Sequence, residues 1–187
     1  MTANAASDDL WVFGYGSLIW RPGFTFEESV AARLNGYHRS LCVFSHVHRG
    51  TPERPGLVLG LDRGGICRGL AFRVAPAHAV ETIAYLRERE QATSVYLERH
   101  LPVRLEDGRR IRALVYVADR KHLQYAGRLP AEELLKLVRQ GRGSSGENPD
   151  YVLRTHDHLR KMGIFDPVLS HLAHVLAPGL PEPRPSL

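Results

Sequence analysis

The sequence predicts an α+β fold in one domain, with an antiparallel, barrel-like sheet and helices packed around it. Strand-like segments fill the first two-thirds of the chain, and helices with clear start and stop signals follow them. At 187 residues, the chain suits one domain with a substantial hydrophobic core. We expect residues 9–177 to form this domain. The polar residues 1–8 and the proline-rich residues 178–187 are expected to be flexible tails.

The strands are predicted from short runs of apolar and β-branched residues that are bounded by turn residues. The dipeptide Asp107-Gly108, which lies between the last two runs, is a strong signal for a hairpin. Strand character is also present at 11–13, just before a pair of glycines. The remaining strands are expected at 30–34, 39–44, 56–61, 68–74, 101–105 and 110–118.

The helices are predicted from their end signals. Pro130 is followed by two glutamates, and Gly141 ends that helix. Asn148 is expected to be an N-cap with Pro149 at the first helical position, and a last helix is expected to open at Asp166-Pro167. With the segment that ends at Glu90, the helices are expected at about 77–90, 130–140, 149–162 and 167–177.

Composition and charge limit the partners of the protein. The formal charge is +5 and the isoelectric point is about 9.5, but the arginines are scattered and no basic run alternates with aromatic residues. We therefore expect no nucleic-acid partner, and the positive potential suits a small anion instead. No apolar run approaches the roughly 18 residues that a membrane helix needs, so no membrane partner is expected.

A cytoplasmic location is expected for two reasons, the character of the N-terminal residues and the surroundings of the two cysteines. The first nine residues lack the basic segment and the apolar core of a secretory signal. Cys42 and Cys67 lie in apolar, strand-like runs, so we interpret them as buried, reduced thiols.

The segment 11–20 is the most informative stretch of the chain. Gly14 and Gly16 flank a tyrosine and precede Ser17, which allows a ligand to approach the backbone closely. The alternative is a tight turn between two buried segments. Ile19 stands where a dinucleotide-binding fingerprint or a nucleophile elbow would need glycine, and the lysine of a phosphate loop is absent.

One glutamate of the segment 77–90 is predicted to point inward. On a helix, Ala79, Ile83 and Leu86 form an apolar stripe, and Glu90 lies in the middle of that stripe. Burying a lone carboxylate costs several kcal/mol unless it is paired or protonated. A structural ion pair and a functional acid therefore remain equal alternatives from geometry alone. The glutamates that are expected to face solvent are Glu81 and Glu88.

These segments resemble the ChaC-like γ-glutamylcyclotransferases. The sequence Phe-Gly-Tyr-Gly-Ser-Leu-Ile-Trp at 13–20 is similar to the end of the first strand in that family. The resemblance spans about residues 11–176, and the segment Gln91-Ala92-Thr93-Ser94 departs from the pattern of the family. Other matching motifs are Gly-Thr-Pro…Pro-Gly at 50–56, Gly-x-Ala-Phe-Arg-Val at 69–74, Arg-Glu at 89–90 and Gly-x-Asn-x-x-Tyr-x-Leu at 146–153.

The resemblance implies a small mixed β-barrel and an intramolecular reaction. The α-amine of a γ-glutamyl group, glutathione above all, attacks its own γ-carbonyl and releases 5-oxoproline and an amine. Glu90 matches the catalytic glutamate of the family, which removes a proton from an amine whose pKa is about 8. Tyr15 and Tyr151 are pocket residues or core tyrosines. The implied substrate-binding residues are Val12, Phe13, Gly14, Tyr15, Gly16, Ser17, Leu18 and Tyr151.

The resemblance implies neither cofactor nor metal. A metal site is the alternative that ten histidines raise. His46 and His48 would share a face in a strand, whereas His156 and His158 would diverge on a helix. We expect surface or core histidines instead. The segment 141–146 looks like a phosphate loop but lacks the lysine, so it is expected to be a mobile loop near the pocket.

Two alternatives to glutathione turnover remain at this point. The same chemistry on another γ-glutamyl amide is one, because the sequence does not disclose the part of the pocket that selects the amine. A catalytically silent ligand-binding module on the same fold is the other.

Overall fold

The computed structural model describes residues 9–91 and 94–177, so the predicted tails lie outside the described residues. Within these ranges, five strands close into a barrel in the order β1-β3-β2-β4-β5, and helices pack around it. The predicted α+β barrel is thus confirmed. The elements are β1 Leu10–Gly14, α1 Ser17–Trp20, β2 Glu28–Ser45, β3 Gly56–Val74, α2 Pro76–Glu90, β4 Tyr96–Leu105, β5 Arg110–Ala118, α3 Ala131–Gln140, β6 Arg142–Gly143, β7 Gly146–Glu147, α4 Asn148–Lys161 and α5 Pro167–Leu176.

Strands β2 and β3 are one long antiparallel hairpin, whereas the sequence predicted four separate strands. The pairing runs from Glu28↔Arg73 to Ser45↔Gly56. Gly36 and Gly64, which lie between the predicted strands, have φ angles of +87° and +99°. They lie at a register shift where the ladder bends and continues, as at a β-bulge. The predicted breaks are therefore wrong because these glycines bend a strand instead of ending one.

The barrel closes through β1. This strand pairs antiparallel with β3 and parallel with β5, where Val12 is opposite Leu114. Helix α2 covers the outside of this seam, because Leu86 packs in one cluster with Val12, Phe72 and Leu114. The larger core cluster fills the barrel and extends to the helices α3, α4 and α5.

The predicted helix starts have different outcomes. The last helix starts at Asp166-Pro167 as predicted, and the Asp166 carboxylate is its N-cap, because it accepts hydrogen bonds from the N–H groups of Val168 and Leu169. Asn148 is not an N-cap, since α4 begins at Asn148 itself. Its buried amide instead bonds both backbone groups of Leu57, at 2.7 Å each. The peptide groups at this edge of β3 need partners, and that need outweighs the capping preference.

Two further expectations concern the cysteines and membrane-spanning helices. Cys42 and Cys67 are buried free thiols, and burial raises the pKa of the Cys42 thiol to about 12. Among the described helices, none has the length and apolar character required to span a lipid bilayer.

Candidate active site

A cavity of about 460 Å³ opens between the turn after β1, the end of α2 and the segment that follows β2. Helix α4 and the start of β4 complete its wall. The structure therefore brings together segments that are far apart in the sequence. The predicted site residues that line this cavity are Phe13, Tyr15, Gly16, Ser17, Leu18, Glu90 and Tyr151.

Val12 and Gly14 do not line the cavity. Val12 is fully buried in the seam that α2 covers. A Cβ atom at Gly14 would lie 3.1 Å from both Leu18 Cβ and a ring carbon of Phe72, which is tight for any side chain. Neither Gly14 nor Gly16 has a positive φ. Close packing, not an unusual φ angle, is the reason for glycine at position 14.

Glu90 is the last residue of α2, and its side chain is 16% exposed. Leu86 is buried and Ile83 is half-buried, whereas Glu81 and Glu88 are exposed, so the predicted inward stripe is confirmed. Burial raises the pKa of the Glu90 carboxyl above its ordinary value of 4.5, and the charge of Arg89 opposes part of that rise. This carboxyl group is thus shifted toward the range in which it can both take up and release a proton near neutral pH.

Arg89 joins the end of α2 to the turn, a role that sequence reasoning missed. Its Nη2 donates to Ser17 Oγ at 2.9 Å. Its Nη1 donates to the Tyr85 hydroxyl at 2.9 Å and to the carbonyl groups of Arg21 and Pro22. Its Nε lies 3.4 Å from Glu90 Oε1. The signal in the sequence was its position next to Glu90, but no local pattern reveals a partner 72 residues away.

Two tyrosines are held by the backbone of one residue of β3, Leu59. The Tyr151 hydroxyl accepts a hydrogen bond of 3.0 Å from the N–H of Leu59, and the Tyr96 hydroxyl donates one of 2.7 Å to the Leu59 carbonyl. Burial raises the pKa of Tyr151 to about 12, so its hydroxyl remains protonated. Because Tyr151 accepts here, its own proton is free for a ligand. Tyr96 also lines the cavity and was missed in the sequence.

The Asn-x-x-Tyr motif has the spacing that is needed for both of its side chains to bond the backbone of β3. Asn148 and Tyr151 are three residues apart and lie on one face of α4. Their partners, Leu57 and Leu59, are alternate residues that face the same way along a strand. The motif therefore fixes α4 against β3 and at the same time brings Tyr151 to the cavity.

The segment between β2 and β3 forms another wall. Arg49 lines the cavity and is 5% exposed, and its Nη1 donates to the Glu147 carbonyl at 2.9 Å. The N–H groups of Ser144 and Ser145 donate to the carbonyls of Val47 and His48. The segment 141–146, which was expected to be a mobile loop near the pocket, is instead part of a short β6–β7 hairpin that packs on this wall.

The structure places the two histidine pairs of the sequence, 46/48 and 156/158, in different surroundings. His46 and His48 lie in a bend after β2 and not in a strand, which corrects the expectation of a shared face. His156 and His158 lie on α4 as predicted. Within residues 9–91 and 94–177, no group of three or more histidine, cysteine, aspartate or glutamate side chains is arranged to hold a metal ion. Positions 92 and 93, in the segment that departs from the family pattern, are outside the described residues.

The barrel and its cavity define the fold class of the γ-glutamyl cyclotransferases. The solved structure of a yeast γ-glutamyl cyclotransferase specific to glutathione has a TM-score of 0.82 at 24% identity, covering 90% of this chain and 95% of that one. The family model for ChaC-like protein matches residues 10–177. This chain belongs to the ChaC-like family.

Curated relatives agree with this assignment. The glutathione-specific γ-glutamylcyclotransferase of Escherichia coli is 34% identical over 163 residues, which are 87% of this chain and 71% of the relative. The glutathione-specific γ-glutamylcyclotransferase 1 of Danio rerio is 34% identical over 189 residues, which are 98% of this chain and 95% of the relative.

Proposed function

We propose that this protein is a γ-glutamylcyclotransferase that converts glutathione to 5-oxoproline and cysteinylglycine. The observation that carries the proposal is the position of Glu90, a buried carboxyl group with a raised pKa on the cavity that the turn 16–18 also lines. The names of the E. coli and zebrafish relatives support the choice of substrate. The reaction is redox-neutral and intramolecular, so its atoms balance without any cofactor.

Glu90 is proposed as the general base and then the general acid. The α-ammonium of the substrate has a pKa of about 8 and is mostly protonated at neutral pH, so it is not nucleophilic until a base removes a proton. The carboxylate of Glu90 takes this proton, and the raised pKa of Glu90 makes that transfer less unfavourable.

The free amine then attacks the γ-carbonyl carbon, and a C–N bond forms as the carbonyl oxygen becomes negative. Ser17 and Leu18 begin α1, so their N–H groups have no acceptor within that helix and can stabilise the oxygen. The free proton of Tyr151 provides a further donor. The carbonyl then re-forms as the bond to the cysteine nitrogen breaks, and Glu90 returns its proton to that leaving nitrogen. The attacking nitrogen, which carries one proton too many after the C–N bond forms, loses it to the Glu90 carboxylate, and the released amine takes that proton up.

The turn is proposed to hold the γ-glutamyl group in its bent form. Ser17 Oγ accepts from Arg89, so its own proton is available for the α-carboxylate of the substrate. Orientation of this kind contributes several kcal/mol to a cyclisation, because the extended conformers of the substrate do not react.

The test is to incubate the purified protein with glutathione and with a panel of γ-glutamyl dipeptides, and to measure 5-oxoproline by mass spectrometry. We expect 5-oxoproline from glutathione above all, none with Glu90→Gln, and ordinary turnover with the exposed control Glu81→Gln. Formation of 5-oxoproline mainly from the dipeptides would point to a broader cyclotransferase. Binding without any 5-oxoproline would instead indicate a silent ligand-binding module. The cytoplasmic location stays a prediction from the sequence.

A further inference from the structure

We propose that Arg49 binds the carboxylate at the glycine end of glutathione and thereby selects glutathione among γ-glutamyl compounds. The inference rests on the proposed function and deepens it, because it names the part of the cavity that recognises the leaving amine. Glutathione carries two carboxylates. The turn 16–18 is assigned to the one next to the reacting amine, which leaves the second without a partner.

Arg49 is a buried cation with unused hydrogen-bond donors. Its side chain is 6% exposed, and its one side-chain hydrogen bond among the described residues goes from Nη1 to the Glu147 carbonyl. Its Nε and Nη2 have no such partner, yet they are not among the polar atoms that are sealed from solvent. Because Arg49 lines the cavity, these donors are open to a ligand there.

The charge of Arg49 is poorly compensated. Among the described residues, the nearest carboxylate is that of Asp150, which lies 4.0 Å from Nη1 and is bonded to Arg154 at 3.0 Å. A buried charge without a close partner is costly, and a ligand carboxylate would relieve that cost. The contact with Glu147 uses one of the five N–H donors of the guanidinium, so it does not account for an arginine at this position.

The position of Arg49 fits the length of the substrate. A Cβ atom at Gly16 would lie 3.4 Å from the Tyr151 hydroxyl, and the Arg49 guanidinium carbon lies 5.5 Å from the centre of the Tyr151 ring. Tyr151 therefore lies beside the turn through its hydroxyl and beside Arg49 through the face of its ring. Two residues of extended chain reach about 7 Å, which exceeds the 5.5 Å from that ring centre to the guanidinium carbon, so cysteinylglycine is long enough to pass along the ring.

The other cations of the wall are less suited to this role. Arg89 already donates to Ser17 and Tyr85 and contacts Glu90. Arg21 is exposed at the rim. Burial lowers the pKa of the His48 imidazole below 6.5, so it is mainly uncharged at neutral pH.

The experiment compares glutathione with its glycinamide analogue, in which the second carboxylate is an uncharged amide. For the wild-type protein, we expect kcat/KM to be about 10- to 100-fold lower with the amide, because a charge-assisted hydrogen bond is lost. With glutathione, Arg49→Gln should show the same loss of kcat/KM, about 10- to 100-fold, mainly through a higher KM. With the amide, the kcat/KM of Arg49→Gln should equal that of the wild-type protein. Arg142→Gln is the matched control, since Arg142 is exposed on β6, and it should behave as wild type.

Equal turnover of both compounds by the wild-type protein would overturn the inference. Equal losses on both compounds in Arg49→Gln would also overturn it, because they would indicate a purely structural role. Should Arg49→Gln fail to fold, the wild-type comparison decides alone. If neither compound yields 5-oxoproline, the proposed function fails. Calorimetry then still tests the role of Arg49, because it measures binding of both compounds to Glu90→Gln. If Arg49 binds the glycine carboxylate, glutathione should bind more tightly than the amide.

Discussion

Arg89 donates a hydrogen bond of 2.9 Å from its Nη2 to the hydroxyl of Ser17, which joins the last turn of α2 to the first residue of α1. The same guanidinium lies beside the carboxylate of Glu90, at 3.4 Å from its Nε. One side chain thus fixes the acid and the turn relative to each other. The relative position of the base and the substrate-binding turn therefore depends on Arg89.

Replacing Arg89 by Gln should impair the reaction in two ways. Loss of the bond to Ser17 loosens the turn, and we expect kcat to fall about 10- to 100-fold. Because the Arg89 charge lowers the pKa of Glu90, its removal should also move the acidic limb of the pH–rate profile to higher pH. Arg87→Gln is the control, since Arg87 is exposed on the same helix and bonds Glu98. An acidic limb at the wild-type position would contradict this coupling.

The carboxyl group of Glu90 should reduce the stability of the fold at neutral pH. Its pKa is raised in the folded protein, so the folded state binds more protons than the unfolded state above about pH 4.5. The free energy of unfolding consequently falls as the pH rises through the folded pKa. Glu90→Gln should therefore raise Tm at pH 7, and this gain should disappear toward pH 4.

Thermal unfolding of both proteins across that pH range is the measurement for Glu90. The exposed variant Glu81→Gln should follow the wild-type curve. A gain in Tm for Glu90→Gln that is the same at every pH would show that packing, and not ionisation, causes it.

Removing the Tyr151 hydroxyl should slow turnover. Tyr151→Phe loses the donor that is proposed for the developing oxyanion, and we expect kcat to fall about 10- to 100-fold. It also leaves the Leu59 N–H without its partner, at a cost of about 1–3 kcal/mol. Tyr125→Phe is a useful control, because the Tyr125 hydroxyl bonds Asp62 outside the cavity. Wild-type kcat in Tyr151→Phe would remove this hydroxyl from the mechanism.

The sequence was informative wherever the cause of a structure is local. The apolar stripe before Glu90 gave the direction of that carboxylate, and Asp166 followed by proline gave the start of α5. Both depend on neighbours within one or two helical turns. The resemblance to a family then added the role of Glu90, which periodicity alone left open between an ion pair and catalysis.

The remaining features depend on partners that are distant in the sequence. Four separate strands were expected at 30–34, 39–44, 56–61 and 68–74, but the pairing of β2 with β3 continues through Gly36 and Gly64, which have positive φ angles. Asn148 looked like a cap because its partner, Leu57, is 91 residues away. Arg49 lies in no periodic segment, so its burial becomes visible only when the cavity is assembled.

Asn148 should be one of the most sensitive positions for stability. Its amide is fully buried and bonds both the N–H and the carbonyl of Leu57. Asn148→Ala leaves both backbone groups unpaired, and we expect a loss of about 2–4 kcal/mol in the free energy of unfolding, measured with denaturant. Asn35→Ala, at an exposed position of β2, should change it by less than about 0.5 kcal/mol. Similar losses at both positions would contradict this assignment.

Four arginines form a row across the outer face of the barrel. Arg33 of β2 is directly opposite Arg68 of β3 and Arg104 of β4, and Arg104 is in turn opposite Arg110 of β5. All four are exposed. Among the described residues, Glu106 is the one carboxylate within 4.0 Å of any of them, at 3.7 Å from Arg68. Like charges directly opposite each other destabilise a sheet, so this row lowers the stability of the barrel.

Arg33→Thr removes one of the two charges, Arg33 and Arg104, that each have two like-charged neighbours, and it keeps a good strand former. We expect Tm to rise by about 1–3 °C at low ionic strength. The gain should shrink at about 1 M salt, where the Debye length falls to about 3 Å and the repulsion is screened. Arg99→Thr is the matched control, because Arg99 is an exposed arginine of β4 that is opposite Val115 and should give no gain. A gain in Arg33→Thr that salt leaves unchanged would come from strand propensity and would refute the role of charge repulsion.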